Sequence, residues 1–314
     1  MPQMNRSNVD KRLLVIGYGS IGARHSRLAA EAGADVACVT NRPAVPFPRF
    51  ASIAQALAER PCDQIVIANA TDLHAQTLQE LAQAGFAGRL LVEKPLCHRL
   101  DKAPALPPAM HVSVAYNLRF HPLVRKLRET LASRPLYSAS FYAGQYLPQW
   151  RPETDYRSSY SARKEQGGGV LRDLSHEIDL ALWLCGRTQS VAAIGGHVSS
   201  LDIDSDDVYS ILSVNERCPA VAISINYLDR TPKRTITINA QDLTASLDLV
   251  NGTLAVDGEM TRCEAERDST YRAQLQAFFD NDTSTMCSFD EGRDVLRFIV
   301  AAESAALNRR WVHL

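Results

Sequence analysis

The spacing Gly17-Tyr18-Gly19-Ser20-Ile21-Gly22 constrains this chain more than any other feature, because of what stands on either side of it. Before it runs Arg12-Leu13-Leu14-Val15-Ile16, and after it residues 21–32 carry a helical pattern. A short apolar run that ends in glycine is how a strand buried on both faces of a parallel sheet reads. In that setting the first glycine makes the tight turn, the second lets a pyrophosphate approach the backbone, and the third lets helix and strand pack closely. Ser20 and Ile21 open the helix, where unpaired N–H groups and the positive dipole end face the phosphates. A plain strand-to-helix turn that uses glycine for positive φ is the competing explanation, and the flanking strand and helix weigh against it.

Further apolar runs at 36–40, 64–68 and 90–93 alternate with helical patterns at 52–59 and 73–84, the last ending before Gly85. Strand and helix repeated in this way predict an α/β domain with a doubly wound parallel sheet. Pro104, Pro107 and Pro108 make 99–110 an irregular crossover into a strand at 111–116. Beyond it the pattern turns to strands at 136–147, 191–199, 207–214, 219–228, 233–240 and 243–250, bounded by Gly, Pro, Asn and Asp. They predict an α+β domain with one large, mostly antiparallel open sheet, covered by helices at 122–132, 170–184, 270–279 and 291–307. The boundary is expected at Asn117, with a dinucleotide-binding domain over 1–117 and a substrate-binding and oligomerisation domain over 118–314.

Charge is balanced, 34 basic against 35 acidic groups, so nothing in the composition favours a nucleic-acid partner. No stretch approaches the ~18 apolar residues of a membrane span, and residues 1–12 are polar, so a cytoplasmic protein is expected. Seven scattered cysteines without a C-x-x-C pair argue against a disulfide framework, and eight dispersed histidines give no metal-ligand spacing.

An NAD site usually carries an acid at the end of the second strand, about 20 residues on, to accept from the ribose 2'-hydroxyl. Here that position reads Thr40-Asn41-Arg42. These side chains can donate to a 2'-phosphate, which a carboxylate would repel, so NADP(H) is expected ahead of NAD(H). Glu93-Lys94-Pro95 closes another strand, at the carboxyl edge where open α/β sheets bind ligands, and Lys94 there can orient a substrate hydroxyl or carbonyl. Gly167-Gly168-Gly169 leads into a helical run with Asp173 and His176 one turn apart. A histidine near a helix N-terminus is held neutral by the dipole, which suits a group that accepts a proton from an alcohol. Capping of the helix by Asp173 is the structural alternative for that residue.

Taken in order, the glycine motif, Glu-Lys-Pro, and the triple glycine before Asp and His resemble the glucose-fructose oxidoreductase, inositol dehydrogenase and MocA (Gfo/Idh/MocA) family, and the likeness runs through the whole chain. Thr71-Asp72-Leu73-His74, Tyr116-Asn117-Leu118-Arg119-Phe120-His121-Pro122 and the ending Trp311-Val312-His313-Leu314 add to it. The resemblance implies a Rossmann domain joined to a domain with a large open sheet, assembled as a homodimer or homotetramer. It implies oxidation or reduction at a secondary alcohol of a sugar, cyclitol or nucleotide sugar. Lys94 matches the lysine that holds the reacting oxygen, and His176 matches the catalytic acid or base. Asp173 matches less well, since the inositol dehydrogenase pattern separates Asp and His by four residues rather than three. Ala70, Thr71, His74 and Glu93 fall where the family lines its cofactor, and Asn117 and Arg119, at the entry to its second domain, are expected to bind substrate.

The segment 149–166 carries Trp150, Arg151, Tyr156, Arg157, Tyr160, Arg163 and Lys164, and it reads as a substrate-binding loop. Aromatic rings suit sugar faces and arginines suit carboxylate or phosphate, so an anionic sugar, a sugar acid or nucleotide sugar of surface-carbohydrate biosynthesis, is the expected substrate. Two alternatives share this scaffold: a glycoside-cleaving enzyme that retains its nicotinamide, and a non-catalytic nucleotide-sensing regulator.

Overall fold

The computed structural model of the chain describes residues 11–150 and 152–314; Arg151 and residues 1–10 lie outside the described residues. The first half runs β1 (Arg12–Ile16), α1 (Ser20–Glu31), β2 (Asp35–Val39), β3 (Arg49–Phe50), α2 (Ile53–Glu59), β4 (Gln64–Ile67), α3 (His74–Gln83), β5 (Gly88–Val92) and β6 (Met110–Val114). It continues with α4 (Pro122–Leu131), β7 (Leu136–Gly144), α5 (Val170–Asp173), α6 (Ser175–Cys185), β8 (Thr188–Gly196), β9 (Val208–Asn215), β10 (Cys218–Asn226) and β11 (Lys233–Ala240). The remainder is β12 (Leu243–Asp248), β13 (Thr253–Val256), β14 (Glu259–Arg262), α7 (Ser269–Asp280), β15 (Cys287–Ser288), α8 (Phe289–Asn308) and β16 (Val312–His313).

The first sheet has the order β15-β6-β5-β4-β1-β2-β3, parallel except for β15, which pairs antiparallel with β6. Leu13 to Ile16 and Ile65 to Ile67 are buried on both faces, which is why these strands read as unbroken apolar runs. The seventh strand comes from beyond Asn117, and α7 packs against α1, so the chain returns to this sheet after building the second one.

The second sheet runs β14-β13-β12-β11-β7-β10-β9-β8-β16, antiparallel but for the β7–β10 pair. Helices α6 and α8 pack on it, and α8 begins with a capping box in which Ser288 and Glu291 satisfy each other's backbone N–H. Ile194 and Leu212 stay exposed beside buried Ile211 and Ser213.

One expectation fails: the helix expected over 170–184 is two helices, broken at Leu174 (φ −97°, ψ 28°). Asp173 therefore ends one helix and His176 starts another, and they are not on a common helical face. The break accompanies a change of partners. Asp173 turns to Tyr227, while Ser175, Glu177 and Asp179 meet Tyr116, Arg234 and Arg119.

Among the described residues no helix is long and apolar enough to cross a membrane.

Candidate active site

A cleft of about 740 Å³ opens beyond the carboxyl ends of β1 and β4, where the strand order reverses. The glycine turn forms one wall, and its three glycines differ in what surrounds them. Gly17 has φ +96°, and a Cβ there would lie 2.5 Å from the Asn69 nitrogen. At Gly22 a Cβ would lie 2.1 Å from the Gly17 carbonyl oxygen, so that position must be bare for α1 to pack on the turn. At Gly19 nothing stands within 4 Å, and the open space belongs to the cleft. A cradle bare at that point, with the N-terminus of α1 beside it at Ser20 and Ile21, fits a dinucleotide pyrophosphate.

Arg42 also lines this cleft, and the strand end carries no acid. Thr40 serves the turn itself, its hydroxyl accepting from the Arg42 backbone N–H at 3.2 Å, with exposed Asn41 between them. Across the cleft stand Ala70, Thr71 and His74. The His74 ring is buried, with its nitrogens 3.1 Å from the Pro95 carbonyl oxygen and 3.3 Å from that of Asn69, so it fastens the Glu-Lys-Pro turn to the loop after β4. Burial pushes its basicity below the ordinary histidine value, against the pull of those carbonyls. Glu93 forms part of the floor, 2.7 Å from the buried His25 Nε2 and accepting from the Lys94 backbone N–H at 3.2 Å.

Lys94 stands at the end of β5, before a cis peptide to Pro95, and its Nζ donates to the Asp173 main-chain oxygen at 2.7 Å. That contact crosses from the first sheet to the start of the second lobe, three residues before His176. His176 is 9% exposed, its ring meets Tyr116 edge to face at 5.6 Å, and its Nδ1 is buried without a hydrogen-bond partner. Its basicity falls well below the ordinary histidine value, through burial first, then the positive charges of Lys94 and Arg234. The helix N-terminus beside His176 is that of α6 at Ser175, not the one expected at 170, and burial leads in keeping the imidazole neutral. The Asp173 carboxylate accepts from the Tyr227 hydroxyl at 2.7 Å, and burial with that carboxylate raises the phenol's pKa well above its usual value, so it stays a donor.

The remaining sequence-selected residues divide. Tyr160 lines the cofactor cleft together with Gln166. Trp150 packs edge to face on Tyr227 at 5.2 Å and donates its Nε1–H to the Gln145 carbonyl, which makes it a support under the loop. Arg157 is exposed and grips Asp155 with a two-pronged contact at 2.8 to 3.0 Å, and Arg163 is exposed on the loop surface. Asn117 is buried and donates to Thr270 Oγ1 at 2.7 Å. Arg119, 1% exposed, is committed to Asp179 at 2.7 Å, Glu291 at 2.9 Å and the Met286 carbonyl. Neither lines the cleft; Asn117 is tied to α7, and Arg119 ties α6 to the start of α8.

Several residues of the cleft wall and its surroundings carried no sequence signal. Tyr271 arrives from α7, stacks under Arg24 at 5.0 Å and touches the His25 ring at 5.8 Å. Asn69 is held by its donation to Thr77 Oγ1 at 2.8 Å. Arg234, from β11, ion-pairs with buried Glu177 at 2.8 Å beside His176.

Residues 11–110 match the family model described as oxidoreductase family, NAD-binding Rossmann fold, and residues 124–241 match the GFO/IDH/MocA C-terminal domain. The inositol 2-dehydrogenase of Rhizobium meliloti (strain 1021) is 25% identical over 192 residues, covering 56% of this chain and 55% of that protein, so the chain spans about half the length of this curated relative. The crystal structure of GenD2 from gentamicin A biosynthesis in complex with NAD superposes with a TM-score of 0.81 at 20% identity, covering 100% of this chain and 99% of that one. The WlbA dehydrogenase from Bordetella pertussis, in complex with NADH and UDP-GlcNAcA, gives a TM-score of 0.79 at 22% identity over 97% and 99%. These two likenesses are of fold. Because the two family models together span well over half of its length, the chain belongs to the Gfo/Idh/MocA oxidoreductase family.

Proposed function

We propose that the chain is a nicotinamide-dependent dehydrogenase or reductase acting on a secondary alcohol of a sugar, sugar acid or nucleotide sugar. The observation that carries this reading is the meeting of Lys94 and His176. One comes from the dinucleotide sheet and the other from the second lobe, yet the ammonium bonds to the carbonyl three residues before the imidazole and its charge acts on that ring. Lys94 orients the alcohol oxygen. His176, neutral at pH 7, takes the alcohol proton in oxidation and returns it in reduction. The nicotinamide, when bound, takes or supplies the hydride. Tyr227 keeps the Asp173 carboxylate turned away, so Asp173 acts by presenting its main-chain oxygen to Lys94.

NADP(H) is the preferred cofactor in this reading, supported by the missing acid after β2 and by Arg42 in the cleft wall. An anionic sugar is the preferred substrate class; the WlbA complex holds UDP-GlcNAcA, an acidic nucleotide sugar. Assembly through the open sheet into a dimer or tetramer is supported by exposed Ile194, Leu212 and Trp311, which share a cleft on that face. The test is a fluorescence titration with NADPH and NADH, then a turnover screen of sugar acids, nucleotide sugars and neutral sugars. Lys94→Ala should bind the nicotinamide as wild type does and lose most turnover; wild-type-like turnover refutes the assignment, and turnover without net cofactor reduction redirects it to glycoside cleavage.

A further inference from the structure

Among the described residues of the loop, Arg157 is paired with Asp155 and Arg163 is exposed on the loop surface. A different cation stands beside the proposed reacting groups. Residues 227–234, which run from the end of β10 into the start of β11, are anchored at both ends to the helices that carry Asp173 and His176. At one end the Tyr227 hydroxyl donates to Asp173, and at the other Arg234 pairs with Glu177, the neighbour of His176. Glu177 is 3% exposed and faces Arg234 Nε at 2.8 Å and Nη2 at 3.5 Å, whereas the Arg234 side chain is 28% exposed. Its Nη1 donates to no group among the described residues. The buried carboxylate therefore holds the Nε and Nη2 edge of the half-buried guanidinium and leaves Nη1 uncommitted. Arg230, in the connection, and Lys233, at the start of β11, are both exposed, Arg230 lying over the Tyr146 ring at 3.5 Å. The charged groups near His176 are Lys94, Arg234, Glu177 and Asp173, and both carboxylates already have partners within the protein.

We infer that Arg234, held by Glu177, receives an anionic oxygen group of the substrate, carboxylate or phosphate, next to the alcohol handled by Lys94 and His176. This rests on the oxidoreductase reading and adds the substrate feature that the site selects. A guanidinium with one edge pinned is preorganised for such oxygens, and a charge-assisted contact of this kind is worth about tenfold or more in affinity.

Calorimetric titration of the nicotinamide-loaded protein with paired probes tests it: glucose against glucuronate for a carboxylate, and N-acetylglucosamine against UDP-N-acetylglucosamine for a diphosphate. Wild type should prefer the anionic member of at least one pair by tenfold or more. Arg234→Gln should erase that preference and Arg234→Lys keep part of it, and the pair that responds identifies the anion. If Arg234→Gln does not fold because Glu177 loses its partner, Glu177→Gln/Arg234→Gln removes both charges and is read in the same way. A preference that survives loss of the guanidinium, a loss equal for neutral and anionic probes, or no anionic preference in wild type overturns the inference while the oxidoreductase reading stands. Failure of wild type to bind or turn over any sugar with either nicotinamide overturns both.

Discussion

Replacing Gly19 by alanine separates the folding of the glycine turn from its task. The residue sits at φ −76° and ψ −168°, extended backbone open to any side chain, and a Cβ there meets nothing within 4 Å. The folded state therefore accepts the methyl, and the stability change should stay within about 1 kcal/mol, since the stiffer unfolded chain offsets a small loss of capping. The same methyl occupies the space into which a pyrophosphate must come. Losing one charge-assisted backbone hydrogen bond costs about 1.5 to 3 kcal/mol, which raises the nicotinamide Kd about 10- to 150-fold. Gly22→Ala is the contrast: its Cβ would stand 2.1 Å from the Gly17 carbonyl oxygen, so the helix must move, at about 1 to 3 kcal/mol or more. Thermal melts and fluorescence titrations on both variants read the two effects apart. Unaltered cofactor affinity in Gly19→Ala, or a melting point that falls as far as that of Gly22→Ala, would refute the reasoning.

Two further outcomes follow from charges in the second lobe. Because His176 is held well below its ordinary pKa, the acid limb of kcat/KM for alcohol oxidation should lie below pH 6.5, where the neutral base is finally lost, and Arg234→Gln should move that limb upward by removing a positive charge; a limb at or above 6.5 in wild type contradicts this. The sign for stability runs the same way, since an imidazole less basic in the fold than in the unfolded chain loses stability as pH falls through the unfolded value. Arg119→Met should destabilise the protein by about 3 to 5 kcal/mol in denaturant melts by leaving Asp179 buried and unpaired, with the pattern of preferred sugars unchanged. A shifted sugar preference with intact stability would instead put Arg119 at the site.

What could be read from residue order was what is decided locally. The apolar runs that become the parallel strands, the glycine spacing, and Lys94 one step beyond a strand all owe their form to neighbours in the chain. The pairing of Arg157 with Asp155, two residues away, is equally local, although the sequence reading assigns Arg157 to the substrate. The break at Leu174 has no proline or glycine to announce it; it accompanies contacts of Asp173 and Glu177 with partners 54 and 57 residues further on. Tyr271 reaches the cleft only through the return of α7 to the first sheet, and Arg234 reaches Glu177, beside His176, only through the pairing of β11 with β7. The commitment of Arg119, singled out by the family resemblance, to Asp179 and Glu291, 60 and 172 residues away, is not legible from its neighbours in the chain.

The late strand β15 has a consequence for anyone dissecting the molecule. A fragment that stops near Asn117 would keep the glycine turn and Lys94 but would expose the backbone edge of β6, an invitation to self-association. It would also lack Tyr271, and with it one side of the dinucleotide groove. The nucleotide lobe is thus discontinuous in the gene, closed only after the second lobe has been synthesised, and is best produced and mutated as part of the entire polypeptide.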